Sequence, residues 1–326
     1  MRKKMSKTIT LDEAAKLLLS WNNIEILTHQ SPDGDTLGSG YALACALKAK
    51  GKNVRVITCE EIVGNFAFLK DGLETDEDFV CEKVVSVDVA TPSLLGVNRE
   101  KYENIIDLCL DHHVTNDMEA TYKYVDSESA AAGEIVLKLI DALGVEIDKH
   151  IANCLYTAIT TDTGCFKYSN TTGDTLRAAA RLLDLGCDSQ MINYTFFELT
   201  TRKRVELEKY IYDTMEFCCG GKCAVIYITC DIVNKFQLTD DDMGGIESIP
   251  RRIEGVRLGL TIKEKSENLC KISARTNGDV SANEFCKNFG GGGHAAAAGC
   301  AINENIQKVR EMIISKAEEV LNEGNC

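Results

Sequence analysis

A chain of 326 residues, 44% apolar and 26% charged, has the make-up of an ordinary globular protein, long enough for two domains. Its formal net charge of −14 argues against a protein that grips long duplex nucleic acid on a broad basic face, although a short anionic ligand held by a few focused cations stays compatible. With no run of about 18 apolar residues, no helical membrane span and no membrane partner are expected.

The N-terminus, Met1-Arg2-Lys3-Lys4, is basic, but no apolar stretch follows it. A secretory signal is not expected, and a cytoplasmic location is the default. Residues 11–21 read as an amphipathic helix with Leu11, Ala14, Ala15, Leu18 and Leu19 on one face. Residues 24–28 read as a strand that ends at His29. The segment His29-Gln30-Ser31-Pro32-Asp33-Gly34-Asp35 then offers an imidazole and two carboxylates in a tight turn. Gly38, Ser39 and Gly40 open a helix expected over 36–50, whose N-terminus favours anions. Strands are expected at 54–58, at 83–87 ending on Asp88, at 105–110 ending on Asp111, and at 122–125. Helices are expected over 129–143 and 149–160. This alternation predicts an α/β fold with a parallel sheet.

A helix over 172–185 with Gly186 as its C-cap comes next. A charged helical stretch over about 200–215 reads as a connector. The expected division is a first domain over 1–195, a helical connector over 196–217 and a smaller second domain over 218–326. In the last, strands are expected at 223–229, 257–263 and 269–274, and a closing helix at 304–321. The fifteen cysteines are scattered, often in apolar elements, and form no paired CxxC framework; Cys218-Cys219 with Cys223 is the nearest cluster. A reduced protein is the expectation.

Ligands of open α/β sheets bind beyond the carboxyl ends of the strands. His29, Asp88 and Asp111-His112-His113 all stand at that end, so segments distant in sequence are predicted to meet there. An acid and two imidazoles at the mouth of a buried strand are costly without a partner, and a metal ion is the usual one. Asp162, in Asp162-Thr163-Gly164 at the end of an apolar helix, could join them. Taken singly, each carboxylate could equally cap a turn. Together they exceed what one ion needs, and two ions about 3.5–4 Å apart are a standard device for phosphoester cleavage. Mixed carboxylate and imidazole ligands suit Mn²⁺, and also Fe²⁺, Co²⁺ or Zn²⁺. In the second domain, Gly290-Gly291-Gly292-Gly293-His294 lacks the Gly-Lys-Ser/Thr of a Walker A loop. Its glycines suggest a structured anion nest, within reach of Ser273, Arg275 and Asn277.

These residues resemble the DHH phosphoesterase superfamily, in the subgroup with a C-terminal DHHA1 domain. The matches are His29-x-x-Pro32-Asp33-Gly34-Asp35-x-x-Gly38-Ser39, Asp88, Asp111-His112-His113-x-x-Asn116, Asp162-Thr163-Gly164, and Gly290 to Gly293 with His294. The resemblance spans nearly the whole chain. It implies a parallel-sheet DHH domain, a smaller α/β DHHA1 domain and an active-site cleft between them. It implies two divalent cations, most readily Mn²⁺, with His29, Asp33 and Asp88 on the first and Asp35, Asp88, His112 and Asp162 on the second. His113 resembles the phosphate-contacting imidazole, with Asp111 as orienter. Arg275, Ser273, Asn116, Gly291, Gly292, Gly293 and His294 resemble the substrate-binding set. Pyrophosphatase relatives lack the glycine loop, RecJ-type exonucleases carry a further nucleic-acid module, and membrane-anchored cyclic di-AMP phosphodiesterases carry preceding segments absent here. What remains resembles the stand-alone type that degrades very short RNA or dinucleotides such as pApA, some also removing the 3′-phosphate of adenosine 3′,5′-bisphosphate. Turnover of cyclic di-AMP and pApA is the alternative. The oligomeric state stays open, a homodimer included.

Overall fold

Short apolar runs separated by helices place six strands side by side, and their register is parallel throughout. The computed structural model describes residues 6–73, 79–278 and 280–323; the basic residues 1–4 lie outside them. The chain divides into two units, Met1–Leu199 and Thr200–Cys326.

In the first unit the elements run β1 (Lys7–Thr8), α1 (Leu11–Ser20), β2 (Ile24–Leu27), α2 (Gly34–Ala49), β3 (Val54–Ile57), β4 (Lys83–Val87), α3 (Arg99–Tyr102), β5 (Leu108–Asp111) and β6 (Tyr122–Val125). They continue as α4 (Ala132–Leu143), α5 (Lys149–Asp162), α6 (Gly173–Asp184) and α7 (Ser189–Asn193). The sheet order is β1-β6-β5-β4-β2-β3, every pair parallel. Strands β2 and β5 are buried along their whole length, as both faces of a parallel sheet are covered. Ile24, Ile26, Val85, Leu108 and Leu110 pack with α1, α2, α4 and α5. Leu27, Val84 and Cys109 face a second cluster with Leu95, Tyr102 and Met118. Strand β2 has β3 on one side and β4 on the other, so the connections leave in opposite directions there. A crevice at such a switch point is where this class of sheet binds ligands.

Three local expectations are corrected. Residues 105–107 precede β5, with Ile105 52% exposed in a turn that donates its N–H to Tyr102. Helix α2 begins at Gly34, so Gly38 to Gly40 lie inside it and Asp33 itself is the N-cap. Helix α4 begins at Ala132, leaving Ser129 to Ala131 outside the helix.

The second unit contains α8 (Arg202–Thr214), β7 (Glu216–Cys218), β8 (Cys223–Ile228), α9 (Cys230–Phe236), β9 (Leu258–Ser266) and β10 (Leu269–Thr276). Then follow α10 (Ala282–Lys287), β11 (Gly292–Gly293), β12 (Ala297–Ile302) and α11 (Ile306–Glu323). The sheet order is β11-β12-β10-β9-β8-β7, with β8 and β9 parallel and the other pairs antiparallel. The stretch expected as a connector is α8, which packs in this unit: Leu207 and Ile211 are buried against Ile226 and Ile228 of β8. The opposite face, with Leu260, Ile272 and Cys300, is covered by Phe285 of α10 and Val309 and Ile313 of α11. Among the described residues every cysteine is a free thiol, and no helix is long and apolar enough to cross a membrane.

Candidate metal centre

The carboxyl ends of β2, β4 and β5 bring His29, Asp88 and Asp111 together, and the N-terminus of α2 and the C-terminus of α5 add Asp33, Asp35 and Asp162. Ligand atoms of His29, Asp33 and Asp88 lie within 4.8 Å of one another, and so do those of Asp35, His112 and Asp162. A third such group is Asp88, Asp111, His112 and His113. His29 Nε2 is 3.5 Å from Asp33 Oδ1 and 3.7 Å from Asp88 Oδ2. His112 Nε2 is 3.5 Å from Asp88 Oδ1, 3.7 Å from Asp35 Oδ2 and 3.8 Å from Asp162 Oδ2. Asp88 thus turns one oxygen to each imidazole.

Both imidazoles are oriented by backbone carbonyls. His29 Nδ1 lies 2.9 Å from the Gln30 carbonyl and His112 Nδ1 3.3 Å from that of Ser129. A proton on each Nδ1 leaves the Nε2 lone pair facing the carboxylates, the arrangement a metal-binding histidine requires. Asp33 caps α2, accepting from the N–H groups of Asp35 and Thr36. Asp35 is 1% exposed and accepts from Ser39 Oγ and from the N–H groups of Ala132 and Gly133 at the start of α4. That helix N-terminus offsets part of its charge.

Asp88 has φ of +58°, in the left-handed region that non-glycine residues occupy at a cost of roughly 1–3 kcal/mol. Its N–H donates to the Leu110 carbonyl, so the strained turn is tied to β5. Its Oδ1 is buried without a hydrogen-bond partner. An unpaired buried carboxylate oxygen is expensive, whereas a divalent cation there would satisfy it.

The electrostatics agree. Burial, then the neighbouring Asp88 and Asp162 charges, push Asp35 well above the ordinary carboxylate value; burial, then Asp33, do the same to Asp88. Asp162 is raised by burial, with His112 opposing. Burial alone would lower the His29 pKa, but its hydrogen bond to Asp33 and that charge bring it up to about 9. Burial would raise Asp33 and Asp111, yet His29 holds the first down, and His113 with Asn116 the second. Without metal, burial and then the neighbouring negative charges favour the protonated forms of Asp35 and Asp88. The donor set fits divalent metal ions.

Asp111 does not join either ligand triad. It accepts from the backbone N–H groups of His112 and His113 and binds His113 Nδ1 at 2.8 Å. That bond raises the His113 pKa and leaves Nε2 free on a ring that is 44% exposed. Asn116, expected among the substrate-binding residues, stands behind Asp111 instead. Its Nδ2 donates to Asp111 Oδ2 at 2.5 Å and its Oδ1 accepts from Met118 N, so both ends of the amide are engaged by protein.

In the second unit, period-two alternation puts Ser273 and Arg275 of β10 on one face, away from buried Ile272 and Ala274. Ser273 pairs with Gly299, which pairs with Gly292; Arg275 pairs with Ala297. His294 and Ala297 exchange backbone hydrogen bonds, so Ser273, Arg275 and the glycine loop sit on adjoining strands. The expected backbone anion nest is not formed. Gly290, Gly291, Gly293 and His294 donate their N–H groups to Lys287, Cys286, Asn283 Oδ1 and Ala297. The glycines answer to packing: a Cβ on Gly291 would lie 2.2 Å from the Gly299 carbonyl oxygen, and one on Gly293 2.6 Å from that of Ala297. The Nδ2 of Asn277 is likewise engaged, donating to the carbonyls of Arg251 and Val256.

Sequence reasoning missed most of the groups that orient the ligands: the carbonyls of Gln30 and Ser129, the N–H groups of Ala132 and Gly133, and Asn170. Backbone groups have no residue signature. Asn170 stood only as the polar residue eight places after Asp162.

Two family models match the chain: the DHH family, N-terminal domain, over residues 23–159, and the DHHA1 domain over 220–323. The chain is 33% identical over 314 residues to the bifunctional oligoribonuclease and PAP phosphatase NrnA of Thermus thermophilus, covering 91% of this chain and 90% of that protein. It is 28% identical over 307 residues to a probable bifunctional oligoribonuclease and PAP phosphatase NrnA of Streptococcus mutans, covering 90% and 96%. The fold resembles the crystal structure of an exopolyphosphatase-related protein from Bacteroides fragilis, with a TM-score of 0.82, 24% identity and coverage of 96% and 97%. It also resembles RecJ of Thermus thermophilus in complex with Mn²⁺, with a TM-score of 0.56, 17% identity and coverage of 96% and 55%.

Proposed function

This chain belongs to the DHH family and carries a DHHA1 domain, and from that premise we propose that it hydrolyses very short oligonucleotides, including pApA, to mononucleotides. Removal of the 3′-phosphate of adenosine 3′,5′-bisphosphate is a second activity of the same site, in line with the names of its relatives. The observation that carries the reading is Asp88: one oxygen faces each of two imidazoles, and one of those oxygens is buried and unpaired.

Two divalent cations, taken as Mn²⁺ as in the RecJ neighbour, would be held by His29, Asp33 and Asp88 and by Asp35, Asp88, His112 and Asp162. When bound they polarise phosphoryl oxygens and lower the pKa of an attacking water. The protein's own part is orientation. Gln30 and Ser129 fix the ring faces of His29 and His112. Asp111 holds His113 by Nδ1 and favours its imidazolium form, so that Nε2–H can donate to a phosphoryl oxygen as charge builds. Arg275, with Ser273 and the exposed His294, forms the substrate-binding set of the DHHA1 domain, Arg275 acting by a charge-assisted contact to a phosphate. Gly291, Gly292 and Gly293 contribute a floor without side chains.

The test is a comparison of initial rates with Mn²⁺ on pApA, adenosine 3′,5′-bisphosphate, a five-nucleotide RNA and cyclic di-AMP. AMP release from pApA is expected, with a higher kcat/KM than for cyclic di-AMP. Dominance of cyclic di-AMP would reassign the enzyme to second-messenger turnover. Inertness on all four by metal-loaded protein would refute the proposal.

A further inference from the structure

Asn170 is a partly buried amide that neither the family match nor the ligand set accounts for. Its Nδ2 lies 3.0 Å from the Ala130 carbonyl, 3.2 Å from the Asp162 carbonyl and 3.4 Å from Asp162 Oδ2. All three are acceptors, so the amide nitrogen must face them; the reversed amide would set oxygen against oxygen. Its Oδ1 is buried without a partner, a cost retained on the other end of the same group.

The segment it clamps supports the second ligand triad. Ser129 offers its carbonyl to His112 Nδ1, and Ala132 and Gly133 give their N–H groups to Asp35. This is possible because residues 129–131 are not helical: Ala131 has φ −153° and ψ 154°. Were the helix to begin at Ser129, its carbonyl would be taken by Gly133 N–H and both contacts would be lost. Asn170 joins that non-helical segment to Asp162, the third ligand. The first triad is supported otherwise, by Gln30 for His29 and by the N–H groups of Asp35 and Thr36 for Asp33.

We propose that Asn170 is a positioning residue for one metal site only, holding Asp35, His112 and Asp162 in register through the segment 129–133, so that the two metal sites can be weakened separately. The inference rests on the two-metal reading above.

The test is Mn²⁺ titration of the full chain by calorimetry, with electron paramagnetic resonance to detect spin-coupled ion pairs. Wild type, Asn170→Ala and Asn170→Leu are compared, the last keeping the volume without the donor. Wild type is expected to bind two ions with a coupled signal. Both variants are expected to keep one site at wild-type affinity, weaken the other by about 10–100-fold and lose the coupled signal at one equivalent excess. Their melting temperatures in EDTA are expected to stay with wild type. Two sites of unchanged affinity in both variants, equal weakening of both sites, or collapse of stability in EDTA in both variants would each overturn the proposal. Fewer than two ions on wild type would instead overturn the two-metal reading itself.

Discussion

Asp88 combines burial, backbone strain and an unpaired charge: it is 3% exposed, adopts a positive φ and keeps an oxygen without a hydrogen-bond partner. Replacing it with Asn, which tolerates the left-handed region, removes the charge and keeps the shape. Asp88→Asn is therefore expected to raise the melting temperature in EDTA and to abolish the rise that Mn²⁺ gives wild type, both read by thermal denaturation. His112→Ala is expected to lower kcat by several orders of magnitude while near-wild-type circular dichroism persists. Asp111 acts through His113, because their 2.8 Å bond is what raises the imidazole pKa. In Asp111→Asn the His113 titration, followed by NMR on metal-free protein, should move to lower pH. An unshifted titration would remove Asp111 from that role. Arg275→Ala should raise KM on pApA more than it lowers kcat; an unchanged kcat/KM would mean that Arg275 is not part of the substrate contact.

Helices α2 and α5 approach each other closely enough that glycine is required between them. A Cβ on Gly38 would lie 2.3 Å from the Cys154 carbonyl oxygen, and one on Gly34 2.3 Å from Thr161 Oγ1. The Cys154 carbonyl is helix backbone and cannot turn aside, so Gly38→Ala must part the helices. A cost of about 1–3 kcal/mol is expected for such overpacking, measurable by urea denaturation. Because Asp33 and Asp35 begin α2 and Asp162 ends α5, the same change should weaken Mn²⁺ binding. Strands ending in His29, Asp88 and Asp111 were legible because apolar runs stop at polar residues. The start of α4 was not: Ser129 to Ala131 are compatible with helix, and tertiary demand for the Ser129 and Ala130 carbonyls holds them out of it. The glycine loop was misread for a related reason. Glycine permits both anion binding and close strand packing, and only β12 beneath Gly291 and Gly293 shows that packing uses it here.

For the whole molecule, the site makes stability depend on pH and metal together. His29, raised to about 9, contributes stability that is complete below its ordinary value of 6.5 and lost as pH rises through about 9. Asp35 and Asp88 are raised well above their ordinary value of 3.8, so the folded state holds protons that the unfolded state has released, and stability falls as pH rises from 3.8 toward their folded values. Metal-free protein is therefore expected to melt at a lower temperature at pH 8.5 than at pH 6. Mn²⁺ binds the deprotonated ligands, so its stabilising effect should be larger at the higher pH. The net charge of −14 limits non-specific attraction of polyanions. Activity on short RNA should depend only modestly on salt, log K falling by about 0.7 per phosphate contacted for each decade of salt.

The residue types alone determined the alternating α/β fold, the edge of the sheet where His29, Asp88 and Asp111 stand, and the acidic and imidazole donors available to a metal, because periodicity and strand-end chemistry are local. Tertiary structure decided which ligands group together, that Asp111 serves His113 and Asn116 serves Asp111, and that Asn170 clamps Asp162 to the segment before α4. Those assignments depend on distances between backbone and side-chain groups far apart along the chain. No local pattern encodes such distances; they follow from how the sheet and helices pack.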